Sequence, residues 1–214
     1  MLLIVDAQVN QFDAPMAVHD GPVILTRLRS LVARARAANV PVAFIQNDGG
    51  EADPDLPGTP GWALHPELLP TGSEKVYRKA TTDSFHETGL LEDLRAAGVT
   101  DLVIAGMQSN YCIDAITRRA VTEGFRVTLV SDAHSTFSFT EEPASAIIQA
   151  QNEALQSIKD YGAVMHRHWP LKLVHLRVNN AQHAARIAKA LVNLGLADVL
   201  PDDPWQFDAF RANV

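Results

Sequence analysis

The feature that most constrains the fold of this 214-residue chain is the alternation of short apolar runs with longer segments of helical periodicity. Short, continuous apolar runs are typical of strands that are buried on both faces of a sheet. We predict strands at Leu2–Asp6, Val40–Asp48, Glu74–Lys79, Asp101–Gly106, Arg126–Ala133 and Gly162–Arg167. Helical patterns lie between them, at residues 21–38, 90–98, 112–123 and 141–161. The alternation predicts an α/β fold, a three-layer, doubly wound (Rossmann-like) parallel sheet with helices on both faces.

Polar residues follow several of the predicted strands. Asp6, Asp48, Asp132 and the turn at residues 106–112 all fall at carboxyl ends, where sheets of this class bind ligands. Residues 49–73 are rich in Gly, Pro and acidic residues, and a loop of this length in a compact domain is more often functional than idle. We therefore expect residues that are distant in sequence to meet at this edge of the sheet.

The rhythm of strands and helices stops near residue 169. We predict that residues 1–169 form the α/β domain and that residues 170–214 form a C-terminal extension. The extension contains a possible strand, "LKLVHLRV", and an Ala-rich amphipathic helix, "NAQHAARIAKALVNLG". It is expected to pack on the same domain or on a partner subunit.

Composition excludes several classes of function. The formal charge of −7 and the absence of a Lys/Arg stripe argue against nucleic acid or an anionic membrane as the main partner. No apolar run reaches the roughly 18 residues that span a bilayer, and "MLLIVDAQ" lacks the features of a signal peptide. A single cysteine forms neither an internal disulfide nor a multi-cysteine metal site. We expect a cytoplasmic protein with a small-molecule substrate.

The single cysteine, Cys112, lies in the sequence "VIAGMQSNYCIDAITRRA". Ser109 is a plausible N-cap for the following helix, which would place Cys112 in the first turn. The free N–H groups and the positive end of a helix lower the pKa of a thiol and favour the reactive thiolate. The alternative is a small buried hydrophobic residue, the commoner role of a lone cysteine.

Asp6 and Lys79 are candidates for the groups that would help a cysteine nucleophile to react. Asp6 ends a buried strand, where it could be a base, a turn former or a helix cap. Lys79 follows a short strand, where most lysines are solvated. Together with Cys112 they would supply a nucleophile, a cation to stabilise its thiolate and an acid/base to shuttle protons.

Four motifs in the same order resemble those of the isochorismatase-like cysteine hydrolase superfamily. They are "LLIVDAQVNQF", "KATTDSFHETGLLEDL", "GMQSNYCIDAITRRA" and the weaker "GFRVTLVSDAHST". The resemblance covers residues 1 to about 167, and the loop "DGGEADPDLPGTPGWALHPEL" fits the branch of the superfamily that lacks a metal.

The resemblance implies a catalytic triad of Asp6, Lys79 and Cys112. Cys112 would attack a carbonyl carbon, Asp6 would move the proton to the leaving nitrogen, and Lys79 would hold the thiolate and the carboxylate in place. The family's non-proline cis peptide maps to Met107–Gln108, and the backbone N–H groups of Gln108 and Cys112 would form an oxyanion hole. Family members are commonly oligomers, so a homodimer or homotetramer is implied.

Nicotinamidases of this superfamily bind a metal through an Asp and histidines that follow the second strand. Here Asp48 is followed by Gly49 and Gly50, and the nearest downstream histidine is His65. We therefore expect no metal and no cofactor. His166 and His168 would share one face of a strand, but two ligands make a poor metal site.

Three aromatic residues are candidates for the substrate pocket by their position: Phe12, Trp62 and Tyr111. Ordinary core or loop packing would explain Trp62 and Tyr111 equally well, whereas Phe12 is the better candidate because it follows the Asp motif. His134 in "SDAHST" could face the site or cap a turn.

The leading hypothesis is a cysteine hydrolase that cleaves the C–N bond of a small amide, imide or lactam through a thioester. One alternative is a non-catalytic relative that binds a small ligand or a protein through the same cleft. The other is a nicotinamidase or an isochorismatase. True isochorismatases act on a vinyl ether and need no cysteine nucleophile, so Cys112 favours the hydrolysis of amide-like bonds.

Overall fold

The sheet is built from the apolar runs that the sequence analysis singled out. In a computed structural model, the chain is described over residues 1–14 and 16–156, together with the backbone of residues 164–167 and 172–173. The strands are β1 (Leu2–Val5), β2 (Val42–Asn47), β3 (Lys75–Lys79), β4 (Asp101–Met107), β5 (Arg126–Ser135), β6 (Val164–Arg167) and β7 (Lys172–Leu173). The helices are α1 (Gly21–Ala37), α2 (Leu90–Ala96), α3 (Cys112–Thr122) and α4 (Ala144–Gln156). Short 3-10 helices lie at Val9–Gln11, Pro60–Trp62 and Pro66–Leu68.

The strand order confirms the predicted doubly wound topology. The sheet runs β3-β2-β1-β4-β5-β6-β7, so the chain moves outward from β1 in one direction and then returns past it in the other. Strands β1 to β6 pair in parallel, and β7 pairs with β6 antiparallel. Crossovers through helices produce this arrangement, because parallel neighbours cannot be joined by a tight turn.

Strand β1 lies at the centre and is buried on both faces. Leu2 and Ile4 pack into the cluster that includes α1, whereas Leu3 and Val5 pack into the cluster that includes α2 and α3. This two-sided burial explains why β1 reads as a continuous apolar run rather than an alternating one.

Strands β1 and β4 approach each other closely at Gly106. Gly106 has φ of +128°, and a Cβ at this position would collide with the backbone of Val5. Only glycine combines this dihedral angle with this contact. The close approach brings the ends of β1 and β4, and hence Asp6 and the turn before α3, to one place.

Some predicted boundaries were wrong. Helix α4 begins at Ala144 rather than at residue 141, directly after Pro143, whose carbonyl accepts from Ala146 N–H. Strand β5 continues to Ser135 instead of ending at Ala133, because its last residues pair with Gly106 and Met107 after a shift in register.

The predicted strand "LKLVHLRV" includes β7. The rest of the extension at residues 170–214, and His168, lie outside the described residues, so the predicted domain boundary stays a prediction. In the part of the chain that is described, no helix combines the length and the apolar character needed to cross a bilayer.

Candidate active site

The carboxyl edge of the sheet brings together three side chains that are far apart in sequence. Asp6 follows β1, Lys79 is the last residue of β3, and Cys112 is the first residue of α3. Lys79 Nζ lies 2.8 Å from Asp6 Oδ2 and 3.2 Å from Cys112 Sγ. The ammonium group therefore links the carboxylate and the thiol directly.

The Lys79 ammonium has a third partner, Asn47 Oδ1, at 2.9 Å. A protonated lysine has three N–H donors, and here each has an acceptor. The side chain is fully buried. Burial acts to lower the pKa of Lys79, but the interactions with Asp6 and Cys112 outweigh it and raise the pKa, so the group stays a cation.

Asp6 is held in a conformation that few residues adopt. Its φ is +47°, in the left-handed region, which is unfavourable for a residue with a side chain. Only 3% of the residue is exposed, and its Oδ1 has no hydrogen-bond partner among the described residues. Burial raises the pKa of Asp6 despite the opposing charge of Lys79. A carboxylate with a raised pKa and a free oxygen is suited to accept a proton.

The thiol of Cys112 is not the activated thiolate that we predicted from the helix start. Burial and the negative charge of Asp6 raise the pKa of Cys112 to about 12, and the Lys79 cation offsets this only in part. Desolvation and a neighbouring carboxylate outweigh the favourable end of α3. The resting site therefore holds a neutral thiol beside a carboxylate that can take its proton.

Ser109 is not the N-cap of α3, contrary to our prediction. Tyr111 precedes the helix, and no side chain caps it. Ser109 is fully buried, and its Oγ lies 2.8 Å from Nδ1 of His134. The prediction failed because the hydroxyl has a buried partner on β5, a contact that local sequence cannot reveal.

His134 links that serine to α4. Its Nε2 lies 2.8 Å from Asn152 Oδ1, and the Asn152 amide nitrogen donates to the carbonyl of Ser131. The amide orientation makes Nε2 the protonated nitrogen, so Nδ1 accepts from the Ser109 hydroxyl. Burial lowers the pKa of His134 to about 4, and the ring is neutral. Through its hydrogen bond with Ser109, His134 thus fixes the turn that precedes Cys112.

The turn itself contains a cis peptide bond at Met107–Gln108, the position that the family resemblance implies. Among the described residues, neither the backbone N–H of Gln108 nor that of Cys112 donates to a protein acceptor. The Gln108 side chain donates to Gln11 Oε1 at 3.1 Å, which ties the turn to the segment after β1. Both N–H groups, which flank the turn that leads into α3, are therefore free to donate to a ligand.

The three aromatic candidates occupy different surroundings. Phe12 packs edge-on against His65, with ring centroids 5.0 Å apart. Trp62 donates its indole N–H to Asp48 and lies under the Arg78 guanidinium. Tyr111 is half exposed, next to Cys112. These contacts show what holds Phe12 and Trp62 in the loops, and all three residues remain predicted pocket candidates.

Asp48 is engaged by protein groups. Its carboxylate accepts two donors of Arg78 and the indole N–H of Trp62. No group of three or more His, Cys, Asp or Glu side chains with metal-binding geometry occurs within the described ranges.

Sequence reasoning singled out Asp48 and missed its neighbour Asn47. Asn47 pairs in register with Lys79 across β2 and β3, so both side chains lie on the same face of the sheet. Asp48 faces the opposite way, toward Arg78. The alternation of side chains along β2 places Asn47 and Asp48 on opposite faces of the sheet. Only the register of β2 against β3 shows that Asn47 is the one that shares a face with Lys79.

Residues 1–167 match the sequence profile of the Isochorismatase domain family. A streptothricin hydrolase of Streptomyces noursei is 43% identical over 142 residues, which are 66% of this chain and 51% of that protein. The chain thus spans about half the length of that relative. Nicotinamidase 3 of Arabidopsis thaliana is 31% identical, over 64% of this chain and 73% of that protein.

Solved structures are similar as well. The crystal structure of an isochorismatase from Pseudomonas putida KT2440 superimposes with a TM-score of 0.70 and 28% identity. The superposition covers 73% of this chain and 83% of that one.

Proposed function

Since the chain belongs to the isochorismatase family, we propose that it is a cysteine hydrolase that cleaves the C–N bond of a small amide, imide or lactam. One observation carries the proposal: the buried Lys79 ammonium lies within hydrogen-bonding distance of both the Asp6 carboxylate and the Cys112 thiol. A nucleophile, a base and a cation in direct contact are the groups that acyl transfer through a thioester requires.

The first half of the reaction breaks the C–N bond. Cys112 Sγ attacks the carbonyl carbon while its proton passes to Asp6. The tetrahedral intermediate collapses with loss of the nitrogen, which takes the proton from Asp6. The product acid fragment remains on Cys112 as a thioester, and the amine leaves. Charge and protons balance, because the proton lost by sulfur is the one gained by nitrogen.

The second half regenerates the enzyme. Water attacks the thioester and gives a proton to Asp6, the C–S bond breaks, and the sulfur recovers the proton. Water is the only co-substrate. Lys79 stays protonated throughout and stabilises each negative charge that forms on sulfur or on Asp6.

The pKa directions support proton transfer during attack rather than before it. The pKa of the thiol is about 12, so little free thiolate exists at neutral pH. The raised pKa of Asp6 makes the transfer less unfavourable than it would be to an ordinary carboxylate. The unused N–H donors of Gln108 and Cys112 are suited to hold the oxyanion.

The relatives narrow the choice of first substrates. Streptothricin and nicotinamide are the molecules in their names, and both belong in an initial panel with simple amides and lactams. Hydrolysis would be followed as the gain of one water by mass spectrometry. Cys112→Ala should abolish turnover, and Asp53→Asn, an exposed carboxylate change, should retain it.

Trapping the intermediate tests the mechanism itself. During turnover, acid quenching should yield protein with an acyl group on Cys112, which hydroxylamine removes. Because Cys112 is the only thiol, the adduct identifies the site. Turnover by Cys112→Ala at the native rate would overturn the proposal. So would ligand binding across the whole panel with no hydrolysis, which would instead support a non-catalytic relative.

A further inference from the structure

Asn47, the third partner of Lys79, is unusually well fixed. The side chain of Gln8 accepts from the Asn47 backbone N–H at 2.8 Å and donates to its carbonyl at 3.0 Å. Gln8 also donates to the carbonyl of Trp62, at 2.9 Å. The Asn47 backbone is therefore held between the end of β1 and the loop after β2.

The side chain of Asn47 is held from the other side by a carboxylate. Its Nδ2 donates to Asp55 Oδ2 at 2.8 Å, while its Oδ1 accepts from Lys79 Nζ at 2.9 Å. An amide turned the other way would place its NH2 group against the ammonium and its oxygen against the carboxylate. Asp55 therefore selects the orientation in which oxygen faces Lys79.

We propose that Asp55 is a positioning residue of the active site, which acts through Asn47 to hold the Lys79 ammonium between Asp6 and Cys112. The inference rests on the proposed function and deepens it, because it assigns a role to the loop at residues 49–73. The Asp55 carboxylate reaches Lys79 through Asn47 and not directly.

The position of Asp55 is built into the loop. Asp55 is buried, although it lies in a segment of exposed residues. Gly49 N–H donates to its carbonyl at 2.9 Å, and a Cβ at position 49 would collide with its Oδ1. The absence of a side chain at Gly49 therefore leaves room for the Asp55 carboxylate.

Asp55 also acts on Asp6 through its charge. Three described groups set the protonation of the buried Asp6 carboxyl besides burial itself: Lys79 from β3, Cys112 from α3 and Asp55 from the loop. The negative charge of Asp55 contributes to raising the pKa of Asp6, which makes Asp6 a better acceptor for the thiol proton.

The rate of alkylation of Cys112 by iodoacetamide tests this without a substrate. In the native chain we expect two rises of rate with pH. The first follows deprotonation of Asp6 and leads to a plateau that reflects proton transfer from the thiol to Asp6. The second follows ionisation of the thiol itself, whose pKa is about 12.

Asp55→Asn keeps the size of the side chain and an acceptor for Asn47 but removes the charge. The first rise should move to lower pH by about half a unit, and the plateau rate should fall about threefold. Asp53→Asn is the matched control: it removes the same charge from the same loop, but Asp53 is exposed and its carboxylate accepts from the Gly50 N–H. It should leave the profile as in the native chain.

A second variant separates positioning from general damage to the fold. Asn47→Ala should also lower the plateau rate, because it breaks the link between Asp55 and Lys79, and thermal unfolding would check that both variants are folded. A plateau unchanged by Asn47→Ala, or by Asp55→Ala, which removes the acceptor for Asn47 as well as the charge, would overturn the proposal. An Asp55→Asn profile that coincides with the native one would overturn the effect of the Asp55 charge on Asp6. These results do not depend on hydrolysis, so they are distinguishable from a failure of the proposed function.

Discussion

At the residue scale, the candidate site places the thiol of Cys112 and the carboxylate of Asp6 on either side of the Lys79 ammonium. Asp6 has two opposite effects on Cys112. Its charge raises the pKa of the thiol, and in the proposed mechanism its carboxylate accepts the thiol proton. A single substitution therefore has different consequences at different pH values.

Asp6→Asn should convert the two rises in the alkylation profile into one. The first rise should vanish, because the group that titrates there is gone. The remaining rise should begin at lower pH than the alkaline rise of the native chain, because removing the Asp6 charge lowers the pKa of Cys112. The rate in this limb should increase about tenfold for each unit by which that pKa falls. Iodoacetamide kinetics followed by intact mass between pH 5 and 10.5 provide the measurement.

Two observations would contradict this account of Asp6. One is a profile of Asp6→Asn that keeps both rises, which would assign the first rise to another group. The other is an alkaline rise that begins at higher pH than in the native chain. Asp53→Asn, which lacks contact with the triad, again controls for a general change in charge.

At the scale of elements, His134 of β5 connects the turn before Cys112 to α4. Its folded-state pKa of about 4 lies below the ordinary histidine value of 6.5, because the ring is buried. Between these values the unfolded chain binds a proton and the folded chain does not. The folded state is therefore favoured above pH 6.5, and this contribution is lost as the pH falls toward 4.

His134→Gln removes this titration. Between pH 7 and pH 5 the free energy of unfolding of the native chain should fall by about 2 kcal/mol more than that of the variant. Urea unfolding at the two pH values measures the difference. Equal losses of unfolding free energy in the two proteins would contradict this, because they would mean that the pKa of His134 is the same in the folded and unfolded states.

The elements also show what a single sequence can and cannot predict. The apolar runs located β1, β2 and β4 within one or two residues, because burial on both faces leaves a local signature. The roles of Ser109 and Asn47 were not predicted, since each depends on a partner 25 or 32 residues away. The pKa of Cys112 was predicted in the wrong direction for a related reason: helix position is local, whereas burial and the charge of Asp6 come from tertiary structure.

At the scale of the whole molecule, the triad joins the centre of the sheet to its edge. Asp6 follows β1 and Cys112 follows β4, two paired strands at the centre, whereas Lys79 ends β3 at the edge of the sheet. Strand β3 pairs only with β2 among the described strands. Lys79 therefore lies on a strand with one hydrogen-bonded neighbour, whereas Asp6 and Cys112 follow strands that have two.

Hydrogen–deuterium exchange should reveal this difference. Backbone amides of β1 and β4 are buried and paired on both sides, so they should exchange only on global unfolding. Peptides that cover Lys75–Lys79 should exchange faster, because one edge of β3 has no neighbouring strand in the described structure. Equal protection of β1 and β3 would contradict the expected gradient. If the gradient is present, contacts at the end of β3, including that of Asn47 with Lys79, are what keep the ammonium in place between Asp6 and Cys112.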